Sequence, residues 1–206
     1  MAIIGLTGNF GMGKSTALQL FSQLGAFTFD VDDFVHDLLA IPAIIKRISA
    51  VLGKEVLIFN SANTTLNKKH VADIIFENPV KRNAIEKIIH PEVLKTIKIR
   101  ASEILRERPS AIIVFEVPLL FEAGYEKIFD KTVVVYCKRD KAVKRLSQKG
   151  FSRHETIKRM RSQMAITDKK KLADYLIDNN KSIKETESQI RQIFEILKAP
   201  CSRHNS

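Results

Sequence analysis

The stretch Gly8-Asn9-Phe10-Gly11-Met12-Gly13-Lys14-Ser15 matches the pattern G-x-x-x-x-G-K-[ST] at every position, and Thr16 follows it. An apolar run at residues 2–6 precedes this stretch and predicts a short buried strand. Apolar residues recur behind it at helical spacing, at Ala17, Leu18, Leu20, Phe21 and Leu24. A strand, a glycine-rich turn and a helix in this order form a cradle for phosphate groups.

Each residue type in the motif has a chemical reason. Backbone N–H groups of the loop and of the helix N-terminus point at phosphates, and glycine lets the backbone approach them closely. Lys14 can reach the β- and γ-phosphates, and the Ser15 hydroxyl can ligate Mg²⁺. The motif therefore predicts a bound nucleoside triphosphate with magnesium, held by Gly8, Gly11, Met12, Gly13, Lys14, Ser15 and Thr16.

Further apolar runs of strand length alternate with helical patterns, at residues 26–29, 111–115, 132–137 and 175–177. Unbroken apolar strands separated by helices indicate a parallel sheet covered on both faces. We predict an α/β P-loop NTPase fold in a single domain over residues 1–198, with a disordered tail at 199–206. Its core comprises residues 1–30, 110–137 and 172–198. A helical substrate region spans 31–108 and a helical lid 138–171.

Local signals refine this outline. Residues 53–67 are polar and rich in asparagine, which predicts a loop. Pro91 predicts a break or kink near His90, because proline lacks an N–H and disfavours helical angles in the residue before it. Capping boxes at Ser152–Glu155 and Ser182–Glu185 each predict the start of a helix.

The net charge of +11 is concentrated in one segment. Residues 138–171 contain thirteen Lys or Arg and three Asp or Glu, a net charge of +10. Such a segment suits nucleotide phosphates or nucleic acid, and a solvated pair of basic helices explains it equally.

The composition and the apolar runs also indicate the compartment in which the protein is expected. Cys137 and Cys201 are too few and too isolated for a disulfide framework or a zinc site, which fits a reducing cytoplasm. Because the N-terminus is used at once as a strand, we expect no signal peptide, and no apolar stretch has the length of a membrane span.

Acidic residues end two of the predicted strands. Asp30 and Asp32 are two residues apart, so their side chains would share one side of an extended chain, where a carboxylate could accept a proton from a hydroxyl acceptor. Helix capping is the alternative role for an aspartate here, and it suits Asp33 better. Glu116 either holds Mg²⁺ or is an ordinary exposed strand end.

Other candidates lie further along the chain. The loop 117–122 is unusually apolar, which core packing or an apolar wall beside a ligand would explain. His90 could hydrogen-bond a substrate or cap a broken helix. In the basic segment, Arg145, Lys149, Arg153 and Arg159 could close over a transferring phosphoryl group.

Several of these pieces occur together in one known order: Gly5-Leu6-Thr7-Gly8, Asp30-Val31-Asp32, His90-Pro91, Val117-Pro118-Leu119-Leu120-Phe121-Glu122, Gln163 and Ala173-Asp174-Tyr175-Leu176-Ile177-Asp178-Asn179. In this combination the chain resembles dephospho-CoA kinases over residues 1–198. The glycine loop alone is generic, whereas the D-x-D, H-P and P-L-L-F-E segments together are specific to that family.

The resemblance implies a reaction and a set of roles. The γ-phosphoryl group of ATP would pass to the ribose 3′-hydroxyl of dephospho-CoA, giving CoA and ADP. Asp32 would be the catalytic base, with Lys14 and Arg145 at the phosphates and Asn179 in the segment near adenine. Substrate contacts would come from His90 and from Pro118, Leu119 and Phe121.

The sequence departs from the family pattern in the lid, which usually reads Q-x-x-R-L-x-x-R. Ala142 and Lys149 occupy the first and last of these positions, and lysine lacks the planar fork of arginine. Lys181 replaces a glycine that is usual two positions after Asn179.

Three other functions remain open. They are a kinase for another nucleoside or nucleotide, a P-loop NTPase acting as a switch or on nucleic acid, and a relative that only binds nucleotide. Residues 180–183 lack the aspartate of the guanine-specific N-K-x-D motif. We expect ATP and dephospho-CoA as partners, no nucleic acid or membrane, and a monomer or weak homo-oligomer.

Overall fold

The computed structural model describes residues 1–59 and 63–199. The strands within this part of the chain are β1 (Ala2–Thr7), β2 (Phe27–Asp30), β3 (Leu57–Phe59), β4 (Thr64–Leu66), β5 (Ile112–Glu116), β6 (Lys131–Tyr136) and β7 (Tyr175–Asp178). The helices are α1 (Lys14–Gln23), α2 (Val31–Leu38), α3 (Pro42–Leu52), α4 (Lys68–Glu77), α5 (Pro79–Glu107), α6 (Arg139–Ser147), α7 (Arg153–Arg161), α8 (Ile166–Leu172) and α9 (Ile183–Lys198).

The chain forms two compact units. The first comprises residues 1–30 and the chain from Ala101 onward, and the second comprises residues 31–100. In the first unit, five parallel strands lie in the order β2-β5-β1-β6-β7. The predicted α/β fold with a parallel sheet flanked by helices is confirmed.

Both faces of this sheet are covered by apolar side chains. On one face, α1 and α9 pack through Phe21, Ile190 and Phe194 against residues such as Leu6 and Val133. On the other face, the ring of Phe115 stacks on that of Phe29 at 5.2 Å. Burial on both faces explains why these strands are unbroken apolar runs.

The second unit contains an antiparallel hairpin where a loop was predicted. β3 pairs with β4, and Leu57 lies opposite Leu66. The prediction of a loop at 53–67 is wrong, because residues 57–59 and 64–66 form two short strands. Val56, which precedes β3, and Leu66 of β4 are buried. Asn67 instead caps α4 by accepting a hydrogen bond from the His70 N–H. Asn60 and Ser61 of the predicted loop lie outside the described residues.

Pro91 does not break the helix that contains it. α5 runs from Pro79 to Glu107 with Pro91 inside, so of the break or kink predicted near His90, the break does not occur. A proline removes one main-chain hydrogen bond, and burial of apolar residues on both sides outweighs that loss, among them Ile88, Ile89, Val93 and Ile97.

The basic segment holds three helices, α6, α7 and α8, rather than the predicted two. Ser152 caps α7 by accepting from the Glu155 N–H, but Glu155 turns its carboxylate to Arg159 instead of completing the box. At α9 the box formed by Ser182 and Glu185 is complete. The predicted disordered tail lies outside the described residues from position 200 onward. No helix in the described part is long and apolar enough to cross a bilayer.

Candidate functional site

The glycine-rich stretch forms a turn between β1 and α1. Gly13 is the N-cap of α1 with φ 98°, and no side chain caps the helix. The first-turn N–H groups are thus left for a ligand, and the helix dipole favours an anion there. At Gly8 a Cβ would collide with the Val135 carbonyl, so only glycine allows the loop to lie against β6. Ser15 and Thr16 are exposed.

Acidic side chains end the strands beside this loop. Asp30 and Glu116 are register partners at the carboxyl ends of β2 and β5. The Glu116 side chain is almost fully buried, and its Oε1 lies 3.8 Å from the Nζ of Lys14. Glu116 is therefore not the exposed strand end considered from the sequence. The arrangement places one lysine and two strand-end carboxylates at the same sheet edge.

Asn179 lies buried against the glycine-rich turn of residues 8–16, which we call the phosphate loop. Its Nδ2 donates to the carbonyl of Met12 at 2.9 Å, and its Oδ1 accepts from Arg145 and from the Thr186 hydroxyl. Arg145 also donates to the main-chain carbonyl of Asn179 at 3.3 Å. The structure thus brings together the loop, the asparagine after β7 and the α6 arginine.

The departure from the family pattern at position 142 is accommodated by packing. Ala142 is fully buried and clusters with Met12 and Cys137. Burial raises the pKa of the Cys137 thiol, which outweighs the opposing effect of Arg145 and keeps the thiol protonated. Lys149 is exposed.

The apolar loop 117–122 serves two purposes. Leu120 and Phe121 are buried, and Leu120 lies directly against Gly5, where a Cβ would collide with it. Leu119 is 45% exposed, and Pro118 is half-buried. Core packing therefore explains the apolar character of half of the loop. Leu119 and Pro118 are the apolar side chains of the loop that are open to a ligand.

Lys169 on α8 was not among the predicted site residues. Its side chain is fully buried and pairs with Glu122 Oε1 at 2.9 Å. Burial lowers the pKa of Lys169, Glu122 opposes that effect, and nearby Lys14 adds to it. Lys169 is the first of three consecutive lysines, and the sequence held no signal that singled it out.

The tip of the phosphate loop is also tied to the basic segment. The Phe10 N–H donates to Gln163 Oε1 at 2.9 Å, and the Asn9 amide donates to the Met164 carbonyl at 3.0 Å. The Phe10 ring meets that of Phe151 edge-on at 5.2 Å, and Arg159 lies over both rings. Arg153 is exposed.

Asp32 and His90 belong to the second unit. Asp32 is exposed in the first turn of α2, so it does not continue the strand that ends at Asp30. The prediction that Asp30 and Asp32 share one side of an extended chain is therefore wrong, because the chain becomes helical at Val31. His90 is half-buried within α5.

No cluster of three or more His, Cys, Asp or Glu side chains suited to a metal ion occurs among the residues described. Oxygen donors beside the loop include the Ser15 hydroxyl and the carboxylates of Asp30 and Glu116. This small set fits Mg²⁺, which keeps several waters and takes most other ligands from substrate phosphates.

Sequence comparisons with known proteins agree on one family. A family model described as dephospho-CoA kinase matches residues 2–185. A dephospho-CoA kinase of Carboxydothermus hydrogenoformans is 38% identical over 198 residues, covering 95% of this chain and 94% of that protein. One of Aquifex aeolicus is 35% identical, covering 96% and 98%. The crystal structure of TT1252 from Thermus thermophilus has a TM-score of 0.80 at 29% identity, covering 95% of this chain and 97% of that one.

The parallel sheet and the phosphate loop between β1 and α1 define a protein of the P-loop NTPase class. Within that class, the chain belongs to the dephospho-CoA kinase family.

Proposed function

We propose that this chain catalyses the reaction for which its family is named, the ATP-dependent phosphorylation of dephospho-CoA to CoA. The γ-phosphoryl group would pass to the ribose 3′-hydroxyl. The observation that carries the proposal is the family match over residues 2–185, within which the phosphate loop keeps an open helix N-terminus.

The nucleotide would bind on the loop 8–16. Phosphoryl transfer depends on positioning and on neutralising charge in the transition state. Lys14, which lies beside Glu116, and Arg145, which is hydrogen-bonded to Asn179, would supply positive charge to the phosphates. Asn179 has both of its side-chain polar atoms engaged within the protein, so we assign it to holding the loop.

Magnesium would be held by the Ser15 hydroxyl, with Glu116 as a direct or water-mediated ligand. When bound, it would neutralise charge on the phosphates. The same carboxylate attracts Lys14, so the chain itself holds the lysine beside the sheet edge before nucleotide binds.

Asp32 would accept the proton of the ribose hydroxyl, and His90 would contact the substrate. Both assignments rest on the D-x-D and H-P segments of the sequence. The exposed Leu119 and the half-buried Pro118 would form an apolar contact for the acceptor, with Phe121 supporting them from within the core. We further expect a cytoplasmic enzyme, monomeric or weakly self-associating, without nucleic-acid or membrane partners.

The decisive experiment supplies purified protein with ATP, Mg²⁺ and dephospho-CoA and follows CoA and ADP by mass spectrometry. We expect CoA to form, and EDTA to abolish its formation. Asp32→Asn should lower kcat by at least about 100-fold, as expected when a general base is removed. Asp33→Asn, which changes the next exposed aspartate, should stay within about twofold of the original chain.

Adenosine and AMP serve as competing acceptors. Phosphorylation of either one in place of dephospho-CoA, or hydrolysis of ATP without transfer, would refute the assigned reaction. An unchanged rate in Asp32→Asn would refute the assigned base alone.

A further inference from the structure

Lys169 is a buried charge that needs an explanation. It lies on α8 with no exposed side-chain surface, whereas the side chain of Lys171 on the same helix is 76% exposed. Taking an ammonium group out of water is strongly unfavourable unless partners compensate for it. The contacts that Lys169 makes with its partners must therefore compensate for its burial.

Those partners both belong to the loop 117–122, which we call the acceptor loop. Besides the ion pair with Glu122, the Lys169 Nζ donates to the Pro118 carbonyl at 3.0 Å. The Thr7 hydroxyl donates to the same carbonyl at 3.2 Å. Two donors on one carbonyl fix the main chain at the start of the acceptor loop, and the Glu122 pair fixes its end.

The same residues connect the acceptor loop to the phosphate loop. Glu122 Oε1 also accepts from the Met164 N–H at 2.9 Å. The neighbouring Met164 carbonyl and Gln163 side chain hold Asn9 and Phe10 of the phosphate loop. The segment 163–169 thus contacts both loops through polar groups of three of its residues, Gln163, Met164 and Lys169.

We propose that Lys169 is a positioning residue that sets the acceptor loop against the phosphate loop and so aligns the acceptor with the transferring phosphoryl group. This inference rests on the proposed role of Pro118 and Leu119 as acceptor contacts. An apolar side chain could fill the same space, but it could not bond the Pro118 carbonyl.

The test compares steady-state kinetics with each substrate varied in turn. In Lys169→Met, kcat/KM for dephospho-CoA should fall by about ten- to a hundredfold, the size expected for a small misplacement of a reactant. The KM for ATP should change by less than about threefold, because the phosphate loop keeps its contacts with Gln163 and Met164. Lys171→Met, at an exposed position on the same helix, is the matched control and should leave both constants unchanged.

A double variant separates positioning from stability. Lys169→Met alone leaves Glu122 partly buried without its cation, which should lower the melting temperature. Adding Glu122→Gln removes that lone charge and should restore the melting temperature while kcat/KM for dephospho-CoA stays low. Recovery of both quantities together would overturn the proposal, as would an equal rise in the two KM values.

Leu119→Ala distinguishes failure of this inference from failure of the acceptor-loop assignment. If Leu119→Ala lowers kcat/KM for dephospho-CoA and Lys169→Met does not, the positioning role of Lys169 is wrong. If Leu119→Ala has no effect on that kcat/KM, the acceptor-loop assignment on which the inference rests is wrong.

Discussion

The side-chain amide of Asn179 donates a hydrogen bond of 2.9 Å to the main-chain carbonyl of Met12, 167 positions earlier in the chain. The bond joins the end of β7 to the phosphate loop. Because the asparagine is buried and also accepts from Arg145 and Thr186, its rotamer is fixed by three partners. Loop conformation in the first unit thus depends on a residue from the far end of the sequence.

Asn179→Ala should weaken ATP binding. The substitution removes the bonds to Met12 and Thr186 and one of the two bonds from Arg145. Each buried polar group that is left unsatisfied costs about 1–3 kcal/mol. We expect the Kd for ATP to rise by about tenfold or more, measured by calorimetry without acceptor. Asn83→Ala, at an exposed asparagine of α5, is the control. Equal ATP affinities in the two variants would contradict the role assigned to Asn179.

Two glycines with nearly the same backbone angle allow strain and collision to be separated. Gly13 has φ 98° and Gly25 has φ 96°, but a Cβ on Gly13 would strike the Asn179 amide, whereas a Cβ on Gly25 meets nothing within 4 Å. Gly25→Ala should cost about 1–2 kcal/mol from left-handed strain alone. Gly13→Ala should lower the free energy of unfolding by clearly more than Gly25→Ala does, as measured by urea unfolding. Equal losses would mean that the asparagine amide can move aside freely.

Asp174 should make stability depend on pH. Burial raises the pKa of this carboxyl, but hydrogen bonds from Lys131 and Thr132 outweigh it, so the pKa lies below its ordinary value. A lowered pKa means that the carboxylate stabilises the fold above the unfolded pKa of about 3.9, and that this stability is lost as the pH falls through the folded value.

The corresponding measurement is urea unfolding of Asp174→Asn between pH 7 and pH 2.5. At pH 7 the variant should be less stable by about 1–2 kcal/mol, since the link between β6 and β7 is weakened. The difference should shrink below about pH 4. Asp73→Asn, at an exposed aspartate of α4, should show no such trend. A deficit in Asp174→Asn that is the same at every pH would show that the charge of Asp174 is not what stabilises the sheet.

The sheet and the phosphate loop were predictable because their signals are local. Each strand of the first unit was located to within a residue or two by its apolar run, since both faces of a parallel sheet are buried. The loop was recognised from eight consecutive residues whose types are dictated by phosphate binding. The start of α9 followed from Ser182 and Glu185, which are only three residues apart.

Predictions that rested on a local preference were less successful where packing opposes that preference. Pro91 does disfavour a helix, but the burial of neighbouring apolar residues on α5 outweighs this preference. The asparagines around position 60 suggested a loop, whereas pairing of Leu57 with Leu66 decided the hairpin. In both cases the deciding energy comes from residues that a short window does not include.

The P-loop fold and the resemblance to one kinase family could be predicted from the sequence, and so could the residues proposed to bind phosphate, because each of these signals lies in consecutive residues or in their periodicity. Only the tertiary structure decided which of the lysines at 169–171 is buried, that Asn179 supports Met12, and that Glu116 lies beside Lys14. The ion pair of Lys169 with Glu122, the pair of Lys14 with Glu116 and the bond of Asn179 to Met12 join residues 47, 102 and 167 positions apart. The physical reason is that burial and hydrogen-bond partners are set by the folded packing of distant segments.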